Sequence, residues 1–576
     1  MKKIYLLVLF FSCLGFSQTE NFPYERDWAT YTCMPLDTYS YEGDLIGYFI
    51  QATLTNYPVL QDYLNPQDTL GNMYLGKISP QGNIEFIRRF GGSGGTTLAS
   101  PNEGGTTAID LDKNIYVSGV TNHTSNIATI GSFQPNFSNN ISLPAPFLLP
   151  DGNTVILPPQ LCIDGYLVKM DSLGNKIWGT YLNGDQNVSI LKVKTKNNFL
   201  YVHGKTSSNN NLTTPNSFYP NRTDTLFLNK ERPFIARLNP ENGNVLWCSY
   251  VPDWLYDNGF DLETLAINSI GDIYISSDGH NTIKKISNDG SQILGSYEIP
   301  EMHEIVDISI DNNNQLLISG RTSLSTGVAT PGTFITTKTL PTENCLVKYN
   351  INMQKIWGTY LGTIYNNNSF YFDHRTNNMY FGISTEIENL STINAYQEQI
   401  AGGIDDLIIK LTENGQLAWS TYYGGELNEN GANLKIMLDT NENLYFNSTT
   451  SSLSYISTPE ALFPIHPITT FPNSLVAVNY SVKFNNTTTA NTNNNETIPY
   501  LIYPNPVQDV LNIQSPILFD TDSEFKIYDL NGKLVHSQKG EYANVNVLFL
   551  SHFAAVTYIL EIDHQGKKQT QKFIKK

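Results

Sequence analysis

Short apolar stretches alternate with turns rich in Gly, Asn and Asp along nearly the whole chain of 576 residues. One unit recurs: an apolar strand with a Lys or Arg near its end, a polar turn, and a second strand containing Trp-x-Thr-Tyr. Clear copies span 167–181, 346–360 and 407–422, and weaker copies begin near residues 75, 234 and 282. No segment has convincing helical periodicity, so the pattern predicts an all-β chain built from repeats.

Each copy is interpreted as four strands separated by turn-forming residues. In the second copy these strands are 167–170, 177–182, 190–195 and 199–205. Four-stranded units that recur every ~50 to 70 residues, with no helices between them, are typical of the blades of a β-propeller. The copies therefore predict six blades within the chain.

The two chain ends each carry half of a further unit. Segment 27–31 has the Trp strand with no first strand before it, and segment 475–480 has the first strand with no Trp strand after it. Joining them adds a seventh blade and removes exposed sheet edges. We predict a seven-bladed β-propeller over residues 18–484, with its last blade closed by both chain ends.

The repeats resemble a known family. The pattern is clearest at residues 112–121 and is similar to the SBBP seven-bladed propeller repeats of bacterial exported proteins, over about residues 28–484. The copy at 239–247 is also similar to the repeats of quinoprotein-type propellers, which is the second-ranked resemblance. Both resemblances imply the same all-β fold class.

The C-terminal part carries a second resemblance. Residues 485–498 form a polar Asn/Thr linker, and a separate small β-sandwich is predicted over 499–576. Its motif residues are Tyr503, Pro504, Asn505, Pro506, Asn531, Gly532, Lys533 and Tyr558. Their order is similar to the type A C-terminal sorting domain of the Bacteroidetes type IX secretion system, although Val556 stands where that family usually has Gly. The resemblance implies that the secretion machinery is a partner and that the protein is secreted or on the cell surface.

The first 17 residues have the order of a signal peptide. A short basic start precedes an apolar run, and small residues predict cleavage between Ser17 and Gln18. No later apolar run reaches the ~18 residues needed to span a bilayer, so no transmembrane segment is expected in the mature chain. The net charge of −18 argues against a nucleic-acid partner, because such binding needs clustered cations.

Candidate chemistry is sparse. Ser93 lies in a G-x-S-x-G match with no helix after it, so neither a catalytic nucleophile nor a cofactor site is predicted. Asp110 and Asp439 begin turns that resemble fragments of calcium loops but lack the required Gly and Glu, which leaves calcium as the one cofactor considered and no metal site predicted. Four cysteines remain open between buried thiols and any disulfide pairing: Cys33, Cys162, Cys248 and Cys345.

A ligand face is predicted from the strands that contain Gly119, Gly204 and Gly320, because small residues suit the crowded innermost position of a blade. The polar residues beside them are Thr121, Asn122, His123, Thr206, Ser207, Arg321 and Thr322. They are either ordinary loop residues or a patch for glycan hydroxyls and carboxylates. The favoured function is a noncatalytic binding or adhesion module for glycan or protein. The alternatives are an extracellular polysaccharide-active hydrolase or lyase and a scaffold of an envelope assembly.

Overall fold

The structure is a computed structural model, and the residues it describes form two compact units, one within 18–487 and one within 500–576. The described ranges are 18–32, 36–39, 45–50, 73–91, 96–97, 107–122, 124–142, 147–148, 154–155, 160–222, 231–252, 264–276, 280–363, 369–373, 375–429, 434–466, 477–487, 500–515, 518–529, 532–541, 543–564 and 567–576. These ranges contain strands and turns and no α-helix, as the sequence pattern predicts. Among them, no helix qualifies as a membrane span.

The first unit consists of antiparallel sheets, of which seven in the described residues have four or five strands. Sheet 1 consists of β2 (Leu36–Tyr39), β3 (Leu45–Ile50), β4 (Met73–Ile78) and β5 (Ile84–Phe90). Sheet 2 consists of β6 (Thr96–Thr97), β7 (Thr107–Ile109), β8 (Ile115–Thr121), β13 (Asp164–Met170) and β14 (Lys176–Leu182). Sheet 3 consists of β15 (Val188–Lys196), β16 (Phe199–Thr206), β17 (Arg232–Leu238) and β18 (Val245–Tyr250). Two short pairs lie between β8 and β13: β9 (Ile141–Ser142) with β12 (Gln160–Leu161), and β10 (Phe147–Leu148) with β11 (Thr154–Val155).

The remaining sheets of this unit follow the same plan. Sheet 4 consists of β19 (Ala266–Ile267), β20 (Ile273–Ile275), β21 (Thr282–Ile286) and β22 (Ile293–Glu298). Sheet 5 consists of β23 (Glu304–Ile310), β24 (Leu316–Thr322), β25 (Glu343–Tyr349) and β26 (Lys355–Tyr360). Sheet 6 consists of β27 (Ser369–Phe372), β28 (Met379–Thr385), β29 (Asp405–Leu411) and β30 (Leu417–Tyr423). Sheet 7 is β31 (Lys435–Leu438), β32 (Leu444–Thr450), β33 (Val478–Asn486) and β1 (Tyr24–Thr32).

The first strand of each sheet lies at the centre of a ring. Strand β31 contacts β2, β2 contacts β7, β7 contacts β15, β19 contacts β23, and β27 contacts β31. The later strands of each sheet lie progressively farther out, so that β14, β18, β22, β26 and β30 are outer strands. This arrangement is that of a β-propeller, whose blades surround a central channel.

The blades are offset from the predicted repeat units. The four strands predicted for the second copy are β13 to β16, but β13 and β14 belong to sheet 2, whereas β15 and β16 begin sheet 3. The prediction of one copy per sheet is therefore wrong. Each copy supplies the two outer strands of one blade and the two inner strands of the next, so the sequence repeat joins neighbouring blades.

The first and last strands of the first unit lie together in sheet 7. Strand β1 pairs antiparallel with β33, with Tyr31 opposite Tyr480 and Trp28 opposite Lys483. Because β1 is the outer strand of a sheet whose other three strands come from the end of the unit, the first and last repeats are held together by backbone hydrogen bonds.

In four of the blades, the recurring Trp hydrogen-bonds to the turn of the next blade. Trp357 of sheet 5 lies opposite Lys348, and its Nε1 donates to the carbonyl of Glu413 in the turn of sheet 6 at 2.9 Å. The same bond joins Trp28 to Pro80, Trp178 to Pro240 and Trp247 to Asn288, at 3.0, 3.0 and 3.1 Å. The repeat motif therefore encodes contacts between blades as well as the core within one.

The loop between the second and third strands of a blade covers that blade's own outer edge. In sheet 5, Thr330 N donates to the carbonyl of Gly358 at 2.8 Å, and Tyr360 N donates to the carbonyl of Ile335 at 3.0 Å. Equivalent loop residues are Thr129, Thr214, Thr392 and Thr458, which bond to β14, β18, β30 and β1. We call these loop segments the edge covers. They satisfy backbone groups that an outer strand would otherwise expose.

The second unit has two sheets around one apolar core. The first sheet is β34 (Leu501–Tyr503), β35 (Val510–Gln514) and β38 (Val545–Phe549). The second is β37 (Leu534–Lys539), β36 (Glu524–Tyr528), β39 (Thr557–His564) and β40 (Lys567–Ile574). Leu511, Phe525 and Leu560 from both sheets are fully buried, which gives the small β-sandwich that the sequence predicts.

Candidate functional site

Lysines of the innermost strands form the most distinctive polar feature of the propeller. Strand β15 carries Lys192 and Lys194, at alternate positions that share one face of the strand. Lys192, Asp307 and Lys435 hold the same register position on β15, β23 and β31, opposite His203, Ser319 and Asn447. These strands belong to sheets 3, 5 and 7, so three separate blades direct charged residues to the centre.

The electrostatics of Lys194 link it to charged residues of two other blades. Burial among the surrounding strands lowers the pKa of Lys194, Asp307 raises it, and Lys435 lowers it further. Lys196, on the same strand, is exposed at the strand end, and the surrounding strands and the charge of Lys194 lower its pKa. Lysines from two blades therefore repel one another in a partly desolvated channel, with Asp307 as their countercharge.

The predicted ligand face is not at the channel. Gly119, Gly204 and Gly320 lie on β8, β16 and β24, which are second strands with neighbours on both sides. The prediction that they occupy the innermost position is wrong, because the offset between repeat and blade moves them outward by one strand. A backbone neighbour explains the small residue at Gly204: a Cβ there would collide with the carbonyl oxygen of Ser189 on β15.

The threonines of that face serve the fold. Thr121, Thr206 and Thr322 are buried at the ends of their strands. Thr206 Oγ1 donates to the carbonyl of Asn187 at 2.7 Å and accepts from Ser208 N at 2.9 Å, and Thr322 Oγ1 accepts from Leu324 N at 3.1 Å. These hydroxyls therefore turn the chain at the strand end.

The other residues of the predicted face differ in setting. Arg321 Nη1 lies 3.2 Å from Glu304 Oε2, its partner across the ladder, so its charge is already balanced. The carbonyl of Ser207 accepts from Arg222 Nη1 at 3.0 Å, and Asn122 is exposed. His123 lies outside the described residues. The structure distributes this set over sheets 2, 3 and 5.

A buried carboxylate begins the third strand in three blades. The residues are Asp164, Glu343 and Asp405, each within the described core. Asp164 accepts from Ser138 N and Oγ at 2.7 and 2.8 Å, and Glu343 accepts from Thr339 N and Oγ1 at 3.0 Å each. Burial raises the pKa of all three carboxyls. Their hydrogen bonds fix the edge-covering loop to the sheet.

Sheets 6 and 7 share a group of buried acids. Asp406 is fully buried and accepts from Ser384 Oγ at 2.7 Å and from Tyr480 OH of sheet 7 at 2.6 Å. Burial raises the pKa of Asp406 to about 6. Glu429 accepts from the hydroxyls of Thr450 and Ser452, and burial together with the charges of Asp406 and Asp405 raises its pKa. These carboxyls have no exposure through which a substrate could reach them.

The turns that resemble calcium loops use their carboxylates locally. Asp110 accepts from Asn114 N at 2.8 Å and from Tyr116 OH at 2.9 Å, and it lies 3.8 Å from Lys169 Nζ. Asp439 accepts from the backbone N atoms of Asn441 and Asn443 at 2.8 and 2.9 Å. Such turns close hairpins. No metal site is predicted at these turns, with calcium as the one cofactor considered, and this expectation stays a prediction. Residues 92–95, which include Ser93, lie outside the described residues.

Three of the four cysteines are described and none of these three forms a disulfide. Cys162, Cys248 and Cys345 are free and buried, and burial raises the pKa of the Cys248 and Cys345 thiols. Cys33 lies outside the described residues. Every complete pairing of the four cysteines joins two of these three, so the structure contains no complete pairing.

The sorting motif fastens the last strand of the chain. Asn505 Oδ1 accepts from Ile574 N at 3.0 Å, and Asn505 Nδ2 donates to the carbonyl of Lys572 at 3.3 Å. Tyr503, Pro504 and Pro506 surround it at the surface, and the two peptide bonds before the prolines are cis. Tyr503 is 38% exposed, so an aromatic face remains available beside the anchored C-terminus.

The rest of the motif shapes turns and core. Lys533 N donates to Asp529 Oδ1 at 3.0 Å beside Gly532, which has a φ of 80°. Tyr558 stacks on Phe573 and donates to the carbonyl of Ala554 at 3.2 Å. Val556 has no positive φ and is half exposed, so this turn does not require the glycine usual in the family. Asn531 and Ser17 lie outside the described residues, and the cleavage site before Gln18 stays a prediction.

Similarity to solved structures is remote. Virginiamycin B lyase from Staphylococcus aureus matches with 11% identity and a TM-score of 0.34, over 80% of this chain and 99% of that one. A protein of unknown function from Bacteroides caccae matches with 8% identity and a TM-score of 0.29, over 61% of this chain and 89% of that one. Such scores carry no argument about activity. A search of curated proteins finds no match.

The C-terminal unit matches a protein family directly. Residues 501–576 match the family described as "Secretion system C-terminal sorting domain", and the match includes Asn505, Lys533 and Tyr558. The match agrees with the boundary between the two compact units. The chain is therefore a β-propeller with a type IX secretion C-terminal sorting domain, which directs it to the cell surface or the medium through the secretion machinery.

Proposed function

We propose that the propeller is a noncatalytic binding module that holds an acidic glycan at its central channel. The observation that carries this proposal is the shared register position of Lys192, Asp307 and Lys435 on the inner strands of three blades. The influence of Asp307 and Lys435 on the pKa of Lys194 supports it. A propeller channel collects side chains from many blades, so a ligand there contacts residues that are far apart in sequence.

The sign of the charge favours an anion. Lys192, Lys194, Lys196 and Lys435 outnumber the two acids of these inner strands, Asp307 and Glu304, and Glu304 is already paired with Arg321. Burial of Lys194 weakens its solvation. A carboxylate or sulfate placed between Lys194 and Lys435 would relieve their mutual repulsion, and partial desolvation would strengthen the attraction. Because the whole chain has a net charge of −18, this cationic channel contrasts with the average charge of the protein.

The test measures binding of the mature full-length protein to polygalacturonate and chondroitin sulfate, with the neutral glucan laminarin as the reference polysaccharide. Lys194→Met should weaken binding to the acidic polysaccharides at least tenfold and make it less sensitive to salt. Lys533→Met, which changes an exposed lysine of the sorting domain, is the matched control and should bind as the wild type does. Equal binding by Lys194→Met, or preference for laminarin, would contradict the proposal.

The alternative function, a polysaccharide-active hydrolase or lyase, is tested with the same materials. A hydrolase would release new reducing ends, and a lyase acting on polygalacturonate would release unsaturated uronic acids. The carboxyls with raised pKa at Asp406 and Glu429 are enclosed by Ser384, Tyr480 and Thr450. This enclosure supports a structural role for them and is the reason we favour binding over turnover.

A further inference from the structure

The loop of sheet 4 is too short to be an edge cover. Residues 276–281 connect β20 to β21, whereas residues 323–342 connect the equivalent strands β24 and β25 of sheet 5. The Thr that pairs with Gly358 in sheet 5 comes eight residues after the end of β24, at Thr330. The six residues of the sheet 4 loop end before that position, so its own outer strand β22 cannot be covered in this way.

The outer strand of sheet 4 is correspondingly exposed. By register, Ser296 and Glu298 of β22 correspond to Gly358 and Tyr360 of β26. Gly358 and Tyr360 are buried, but Ser296 and Glu298 are exposed. In the described part of the chain, no backbone hydrogen bond outside its own sheet reaches residues 294, 296 or 298.

The same strand departs from the repeat motif in its side chains. Gly295 stands in the Trp position, opposite Lys285, and Tyr297 stands where Thr359 of sheet 5 accepts from Ile335 N. The loss of the Thr and the loss of the loop thus occur in one blade. Five blades have an edge cover in the described residues, and the exposed edge of sheet 4 presents the backbone geometry that those covers occupy.

We propose that the outer edge of β22 docks an extended segment of a partner protein, which adds a strand in the manner of an edge cover. The segment would carry a Thr or Ser whose hydroxyl accepts a hydrogen bond from Ser296 N. A large apolar residue would follow it in the segment, and the backbone carbonyl of that residue would accept from Glu298 N. The precedent for this pairing is sheet 5, where Thr330 and Ile335 of the edge cover accept from Gly358 N and Tyr360 N of β26. A cationic side chain in the segment would complement Glu298. Strand addition is a common mode of peptide recognition.

The probe is a synthetic peptide with the sequence of residues 326–337, which is the edge cover of sheet 5. We expect it to bind the mature protein and to slow amide hydrogen exchange within residues 294–298. Ser296→Pro removes only an outward N–H, since the equivalent Gly358 N bonds outward to Thr330 Oγ1, and it should weaken binding at least tenfold. Ser296→Ala retains the N–H and should bind normally.

Several outcomes would overturn this inference. They are absence of protection at 294–298 with saturating peptide, equal binding by the Ser296→Pro variant, and equal binding of a peptide in which the residue equivalent to Thr330 is Val. A concentration-dependent dimer that Ser296→Pro dissociates would assign the edge to a second copy of this chain instead. Hydrogen exchange on the wild type decides the question even if the proline variant fails to fold.

Discussion

Asp406 shows how the setting of a single residue determines the response of the fold to pH. Its carboxyl is fully buried, and the hydroxyls of Ser384 and Tyr480 only partly compensate for lost hydration. Burial raises its pKa to about 6, so the folded protein binds this proton more tightly than the unfolded chain does. The stabilisation is complete below the unfolded pKa near 4 and is lost as pH rises through about 6.

Asp406→Asn should therefore become more stable relative to the wild type as the pH rises from 4.5 to 7.5. Two pKa units correspond to about 3 kcal/mol in the free energy of unfolding, of which about 2 kcal/mol is gained between these two pH values. Urea unfolding at both pH values measures it. Asp289→Asn is the control: the pKa of Asp289 is lowered to about 2, so its titration lies below this range. A difference between Asp406→Asn and wild type that does not change with pH would contradict the prediction.

The sequence predicts the role of a single residue where that residue recurs in several copies of the repeat, and it does not do so for a residue found in one copy. The Trp, Lys and Tyr of the repeat were recognised because several copies share them, and all are buried or paired in the structure. Lys194 and Asp307 were missed, since their partnership joins blades without any shared spacing. Asp164, Glu343 and Asp405 had a usable signal: an acid three residues before the apolar centre of the third strand.

At the scale of structural elements, contacts between a Trp and the turn of the next blade join neighbouring blades of the propeller. Gly415 lies in the turn that receives Trp357, with a φ of 75°, and an added Cβ would lie 2.8 Å from the indole ring. In sheet 5 the same turn position is Met353, with a φ of 56°, and the preceding blade has Gly295 in place of Trp. Glycine is thus present in each of the four turns that receive Trp28, Trp178, Trp247 or Trp357, and Met353 stands in the turn that faces the blade with Gly295.

Gly415→Ala should destabilise the propeller by about 2 to 4 kcal/mol, because left-handed backbone strain adds to displacement of the Trp357 ring. Met353→Gly is the matched variant and should change the free energy of unfolding by less than about 1 kcal/mol. Chemical denaturation of both proteins measures the two effects. Similar losses in the two variants would show that the turn, and not the indole contact, determines the cost.

The strands were predictable as elements, but their grouping into blades was not. Apolar alternation and turn residues located β13 to β16 closely. A cyclic repeat can be divided at any point, however, and no local property of the chain marks where one sheet ends. The Trp strand looked like the second strand of a blade, and it is the outer strand, as Trp178 in β14 shows. That shift also moved the predicted ligand face away from the channel.

At the scale of the whole molecule, the propeller and the sorting domain are two compact units, and each has its own apolar core. The propeller core and the sandwich core share no cluster in the described residues. Deletion of residues 500–576 should leave a folded propeller that accumulates in the periplasm, because the sorting domain supplies the address. Cell fractionation with circular dichroism of the retained protein tests both parts. Asn505→Ala, which only frees the last strand, is the milder companion variant, and normal release of the deletion protein would contradict the prediction.

The pairing of β1 with β33 also imposes an order of events in time. Among the described strands of the propeller, β1 is synthesised before all the others, and its partner Val478–Asn486 is synthesised after all the others. Until that partner emerges, Trp28 and Tyr31 have no sheet to join, and the earlier blades wait as an open arc with unpaired edges. Some 450 residues separate β1 from β33, so all of them must be translated or transported before the propeller can close. A chain interrupted anywhere short of β33 is an unfinished ring, whichever side of a membrane it has reached.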